Sequence, residues 1–174
     1  WEVCVNCQKR MQEEGMTDKN ELQGYLVRHI EKFLRERGKT VIGWDEIVET
    51  GLPEQAVVMS WRGTPGGIKA SSEGHDVIMS PNSYVYLDYY QDLIRKEPKA
   101  VGHMQSLRHV YKYDPLDGID PEYHHHILGL QGNRWCELIP YAAHAEYMLY
   151  PRAFAIAEIG WTPQEKRDFF PFRE

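Results

Sequence analysis

Between Asp18 and Arg37, apolar residues recur at intervals of three and four. Leu22, Tyr25, Leu26, Ile30, Phe33 and Leu34 form one stripe, and Glu21, Arg28, Glu31, Lys32 and Arg35 occupy the other faces. This spacing predicts an amphipathic helix. Asp18 and Glu21 make a capping box at its start, and Gly38 supplies the left-handed residue that ends it. The pattern then changes. Residues 40–44 are short, nearly all apolar and lack polar alternation, which predicts a strand buried on both faces. Similar runs follow at 56–61 (AVVMSW), 76–80 (DVIMS) and 127–131 (ILGLQ), each leading into polar or aromatic residues. A helix-sized stretch, 66–73, closed by Gly74, separates the second run from the third. Residues 141–159 read as helix restarted at Pro151, whose fixed φ suits a first helical position.

Strand, helix and strand in close succession imply parallel pairing with right-handed crossovers, so the predicted class is α/β, built from parallel β/α units. Residues 84–123, rich in Tyr, Asp and Pro, read as an elaborated loop beyond a strand end and not as a second domain. Parallel β/α units build either an open doubly wound sheet or a barrel. No G-x-G-x-x-G or G-x-x-x-x-G-K-[ST] follows a predicted strand, so the nucleotide-binding form of the open sheet lacks its phosphate cradle. In a barrel, the chemistry sits at the C-terminal strand ends and the loops after them.

Composition narrows the function classes. The 174 residues, 42% hydrophobic and 12% aromatic, suffice for one sizeable core. Twenty Lys and Arg against 26 Asp and Glu give a net charge of -6, which argues against a nucleic-acid partner held by counterion release. No apolar run approaches the roughly 18 residues of a membrane span. No basic-then-apolar leader opens the chain, and Trp1 is not a start methionine, so the sequence reads as a piece of a longer polypeptide. Cys4 and Cys7 form a C-x-x-C without a second such pair, and Cys136 stands apart; a local disulfide or two packed thiols at the start of a loop is expected. His124, His125 and His126 point in different directions and read as a solvated turn before a strand. Neither a metal nor a cofactor is expected.

The strand ends carry Trp44-Asp45-Glu46, Trp61-Arg62, Tyr86-Leu87-Asp88 and Trp135-Cys136-Glu137. Indole faces stack on the apolar face of a pyranose and carboxylates accept from ring hydroxyls, so this set points to carbohydrate. Asp45 and Glu46 do not read as the two carboxylates of a double displacement. Neighbouring strand residues face apart, whereas that pair must face each other across roughly 5 Å. One of the two is expected to support the loop or a helix start.

The runs VIGWDEI, VVMSWRG, GHDVIMSP, YLDYYQ, ILGLQGNRWCE and EYMLYPRAFAIAEIGWTP, in this order, resemble the catalytic domain of glycoside hydrolase family 20, the β-N-acetylhexosaminidases. The resemblance covers nearly the whole chain and implies the second half of a (β/α)8 TIM barrel, about strands five to eight, as one partial catalytic domain. It implies removal of a terminal non-reducing β-linked N-acetylglucosamine or N-acetylgalactosamine with retention, the acetamido oxygen serving as nucleophile and forming an oxazolinium ion. By motif, Tyr86 resembles the tyrosine that hydrogen-bonds the acetamido oxygen. Trp44 and Trp61 resemble walls around the acetamido methyl, and Trp135 the tryptophan that stacks on the sugar. Asp88 and Glu137 resemble the carboxylates that bind hydroxyls around C4 and C6. The implied partners are N-acetylhexosamine-containing glycans or chitooligosaccharides. Bacterial members are often periplasmic, cell-surface or secreted.

The family's Asp-Glu pair, in an H-x-G-G-D-E phrase, has no counterpart in these 174 residues. The chain alone is therefore expected to bind sugar weakly and not to hydrolyse it. A barrel typically needs about 250 residues, and a half-barrel leaves two open sheet edges that favour self-association. Two other readings stay open: a lectin-like module that keeps the aromatic cage, and another barrel glycosidase that uses Asp45, Asp88 or Glu137 directly.

Overall fold

The computed structural model describes all 174 residues. It opens with helices α1 (Val5–Glu13) and α2 (Glu21–Arg35), followed by strand β1 (Ile42–Trp44) and a 3-10 turn, Asp45–Thr50. Strand β2 (Val57–Ser60), helix α3 (Pro65–Ser72) and strand β3 (Val77–Met79) come next. After a long excursion, strand β6 (Ile127–Leu130) is followed by helices α5 (Ala142–Leu149), α6 (Arg152–Trp161) and α7 (Phe169–Phe172). The four strands lie side by side in the order β1-β2-β3-β6, and every pairing is parallel. All four C-terminal ends therefore point the same way. The outer edges of β1 and β6 are unpaired. No helix is long and apolar enough to cross a membrane.

The core lies between the sheet and its helices, around Val58, Val77, Met79, Ala70, Ile47 and Ile159. α3 presses on β2 and β3 through Gly67, where an added Cβ would lie 2.6 Å from Met79 Sδ and 3.2 Å from both Ser60 Cβ and Val77 Cγ1. The Gly67 N–H donates to Ser60 Oγ at 2.9 Å, which fixes this close approach. Gly67→Ala should therefore destabilise the fold by about 1–3 kcal/mol through overpacking, read as a lower urea midpoint at unchanged slope.

The stop signal of α2 acts as read, Gly38 taking φ +66°, but only half of the expected capping box forms. Glu21 Oε1 accepts from the Thr17 and Asp18 N–H groups at 2.9 and 2.8 Å, whereas the Asp18 carboxylate accepts from Asn20 N–H at 2.8 Å, because the helix begins only after Asn20. Its orientation corrects the expected stripe. Gly24 and Glu31 are buried, whereas Leu26, Ile30 and Phe33 are exposed. Gly24 is the reason. A Cβ there would sit 2.7 Å from the Thr50 carbonyl oxygen, so the helix approaches the 45–50 turn along its glycine ridge, which leaves Leu22, Tyr25 and Leu34 half-buried and turns the other half of the stripe outward. The buried Glu31 carboxylate is paired with Arg35 at 2.9 Å.

Three further expectations need correction. β1 is not buried on both faces: Ile42 is exposed, so the face it points to lacks a covering element. The 84–123 stretch has structure of its own, a small parallel pair β4 (Tyr89–Tyr90) and β5 (Val101–Met104), then helix α4 (Leu107–Tyr111) packed on α6 through Val110, Tyr111 and Ala155. Elements of two to five residues are too short to write a period. Cys4 and Cys7 are free thiols at the start of α1, not in a loop. The three histidines do end a turn before a strand, the 3-10 turn Pro121–His126, where His126 Nδ1 lies 3.1 Å from Asp76 Oδ1.

Candidate active site

Four parallel strand ends converge on a cavity of about 370 Å³ lined by Trp44, Glu46, Trp61, Tyr86, Trp135 and Glu137. Trp44 closes β1, Trp61 follows β2, Tyr86 lies beyond β3, and Trp135 and Glu137 lie beyond β6. The three tryptophans, far apart in the chain, meet here. Trp44 packs edge-on against Trp61 with ring centroids 6.4 Å apart and tilts against Trp135 at 6.0 Å. Trp61 stacks on Tyr86 at 6.3 Å and 22°, and Tyr89 closes the far side of Tyr86 edge-on at 5.7 Å. The lining offers aromatic surface and two carboxylates, and no lysine, arginine or histidine.

Asp45 and Glu46 divide their labour. Asp45 is buried and accepts from the Trp61 and Arg62 N–H groups at 3.0 and 3.1 Å, and from Arg62 Nε at 2.6 Å. It holds the loop after β2, the supporting role expected of one member of the pair. Arg62 also reaches Glu49 at 2.6 Å, and the two carboxylates push its pKa upward. Glu46 lines the cavity and accepts the Trp61 indole N–H at 3.0–3.1 Å on both oxygens. Asp45 and Glu46 face apart as expected, and Glu46 shares the cavity with Trp44, two residues before it; the sequence left open which of the two carboxylates enters the cavity.

Tyr86 reaches the cavity although it is only 6% exposed. Burial raises its hydroxyl above the ordinary tyrosine range, against hydrogen bonds from Trp135 and Asn133. Its segment is registered by Asn133, which the sequence did not single out. Leu87 N–H donates to the Asn133 carbonyl at 2.6 Å, and Asn133 N–H donates to the Val85 carbonyl at 2.9 Å. The Asn133 amide also donates to Ser80 Oγ at 2.6 Å and accepts from Gln131 at 2.7 Å. An asparagine two residues past an apolar run reads as a turn residue, so no local signal marks it.

Asp88 does not line the main cavity. It is buried beside a small crevice shared with Trp135 and Glu137, next to the aromatic walls. Burial raises its pKa and the nearby Glu137 adds to the rise, while backbone N–H groups and Arg152 oppose it. One carboxylate oxygen, Oδ1, has no protein partner. Arg152 was also missed. Fully buried at the start of α6, it donates to the carbonyls of Leu87 (2.7 Å) and Tyr89 (2.8 Å), which flank Asp88, and to those of Gln105 (3.2 Å) and Met148 (2.6 Å). Burial lowers its pKa to about 10.

Residues 1–164 match the family described as glycosyl hydrolase family 20, catalytic domain. The chain is 47% identical over 174 residues to a β-hexosaminidase of Porphyromonas gingivalis, covering 99% of this chain and 22% of that protein. It is 37% identical to a β-hexosaminidase of Vibrio furnissii, over 92% of this chain and 27% of the other. Among solved structures, it superposes with TM-score 0.87 and 34% identity on the GH20 exo-β-N-acetylglucosaminidase of Vibrio harveyi in complex with N-acetylglucosamine, covering 99% of this chain and 28% of that one. The chain thus spans about a quarter of the length of these relatives.

Proposed function

The chain belongs to glycosyl hydrolase family 20, and from that premise we propose that its polypeptide removes terminal non-reducing β-linked N-acetylhexosamine from glycans or chitooligosaccharides. Its parallel β/α units are a portion of the TIM barrel of that family. In this reading the 174 residues are one partial catalytic domain that supplies the sugar pocket. The observation that carries the proposal is the convergence of Trp44, Trp61, Trp135 and Tyr86 with Glu137 on one cavity of about 370 Å³, at the small end of ligand pockets.

The acetamido oxygen of the substrate attacks the anomeric carbon, the leaving oxygen departs with a proton from a general acid, and water opens the oxazolinium ion with net retention. Tyr86 donates to the acetamido oxygen and holds it for attack. Trp44 and Trp61 enclose the acetamido methyl and exclude water. Trp135 covers the sugar ring, while Asp88 and Glu137 take hydroxyls around C4 and C6. The general acid and the group that orients the acetamido N–H belong to an H-x-G-G-D-E phrase, which these 174 residues do not contain. The full polypeptide should release nitrophenol from a nitrophenyl N-acetylglucosaminide and the 174-residue chain should not. Replacing the acetamido group by hydroxyl should abolish the reaction, since only the acetamido oxygen can serve as nucleophile. Sugar binding without hydrolysis by the full polypeptide would make it a lectin-like protein instead.

Asp88 sets a pH dependence. Because burial raises its pKa, it takes up a proton at a higher pH than an ordinary aspartate as the solution is acidified. The neutral acid is a poorer acceptor, so affinity for N-acetylglucosamine should fall on the acid side, beginning above the usual carboxylate range. The folded form binds this proton more tightly than the unfolded form, so the same protonation adds stability as pH drops through the folded-state value. Calorimetric titration of the sugar from about pH 4 to pH 8 should show this acid limb, and Asp88→Asn should remove it.

A further inference from the structure

Asp45 and Glu46 grip the two ends of a single residue. Asp45 holds the Trp61 backbone N–H at 3.0 Å, and Glu46 holds the indole N–H on both carboxylate oxygens at 3.0 and 3.1 Å. No other hydrogen bond to that indole is present, and an aromatic ring on a loop keeps rotational freedom unless its polar atom is tied. The ring so fixed is the plate that stacks on Tyr86 and meets Trp44 edge-on. We propose that Glu46 is a positioning residue that locks the Trp61 indole and thereby sets the size of N-acyl group the cavity admits. The inference rests on the reading of Trp44 and Trp61 as the walls around the acetamido methyl.

A pocket wall discriminates against an extra methylene only as far as it cannot yield, and a firm wall is worth roughly 10-fold or more per methylene. With Glu46 in place the wall is firm, so the enzyme should favour N-acetyl over N-butanoyl substrates. Without an acceptor at position 46 the indole can swing, the longer chain fits, and the preference relaxes. A glutamine keeps one carbonyl oxygen within reach of the indole N–H, so the conservative variant should preserve most of the lock.

The test compares kcat/KM for nitrophenyl N-acetyl- and N-butanoyl-glucosaminides in the full polypeptide. Glu46→Leu should shrink the N-acetyl preference at least about fivefold, whereas Glu46→Gln should hold it within about twofold. In a Trp61→Phe background, which has no indole N–H, Glu46→Leu should leave the preference where Trp61→Phe alone put it. An unchanged preference in Glu46→Leu, or an additive effect in the double variant, overturns the assignment. A second readout needs no turnover: the Trp61 indole proton, seen by NMR, should lie downfield and exchange slowly in the wild type and lose both properties in Glu46→Leu. If the wild type hydrolyses neither substrate, the proposed function fails, and the indole signal still decides whether Glu46 holds the ring. A wild-type indole proton in fast exchange refutes the lock.

Discussion

Tyr86→Phe should lower kcat for a nitrophenyl N-acetylglucosaminide about a hundredfold while changing KM less than about threefold, the size expected when one preorganised donor to developing charge is removed. The substitution deletes one oxygen and leaves the ring held between Trp61 and Tyr89. The cavity keeps its shape, so ground-state binding is largely retained. Catalysis suffers because the Tyr86 hydroxyl aligns the acetamido oxygen as it becomes the nucleophile. This interaction strengthens toward the transition state, and only such interactions raise kcat. Steady-state kinetics on the full polypeptide decides the matter: an unchanged kcat, or a loss wholly in KM, would remove Tyr86 from the chemistry.

Arg152→Met should be the most damaging single change to the fold. Four backbone carbonyls on three separate segments, Leu87 and Tyr89, Gln105, and Met148, all take their hydrogen bond from this one guanidinium. Methionine fills much of the volume but leaves these buried acceptors without a donor, at an expected cost of about 3–5 kcal/mol. For a domain of this size that corresponds to a fall in Tm of roughly 10 °C. Arg152→Lys should lie between, because one ammonium has three donors and cannot span the planar set of contacts. The carbonyls it releases flank Asp88, so sugar affinity should fall in the surviving folded protein as well. Thermal melts beside calorimetric titration would show both losses, and a melt within about 2 °C of wild type would refute the role given to Arg152.

Both predictions concern residues whose importance was unequally legible. Tyr86 stood out because a tyrosine and an aspartate close to a strand end are chemistry-bearing residue types in a place where barrels put chemistry. Arg152, just after Pro151 in an apolar helix, carried no such mark. Its four partners are 4 to 65 positions away, and nothing local announces a bond of that span. Glu46 lay between these cases. Its residue type was visible and so was the division between it and Asp45, but which of the two enters the cavity is set by the Trp61 N–H groups they meet from the next strand end.

What the sequence determined by itself was local. The four apolar runs became four parallel strands, Gly38 and Gly74 ended helices in the left-handed conformation, and the aromatic and acidic residues fell at the strand ends. These features follow from side-chain spacing and backbone freedom within a few residues. Tertiary structure alone decided how the three indoles, which the motifs already assign to one pocket, pack edge-on and tilted against one another, and that Asp45 and Glu46 clamp the same tryptophan. It alone turned α2 along its glycine ridge and left half of the apolar stripe outside, and it alone made a buried arginine the brace of the Asp88 segment. The physical reason is common to all four. Periodicity encodes which face of an element prefers burial, whereas the partner of a polar group or the closest approach of two elements depends on atoms brought together only by packing distant segments.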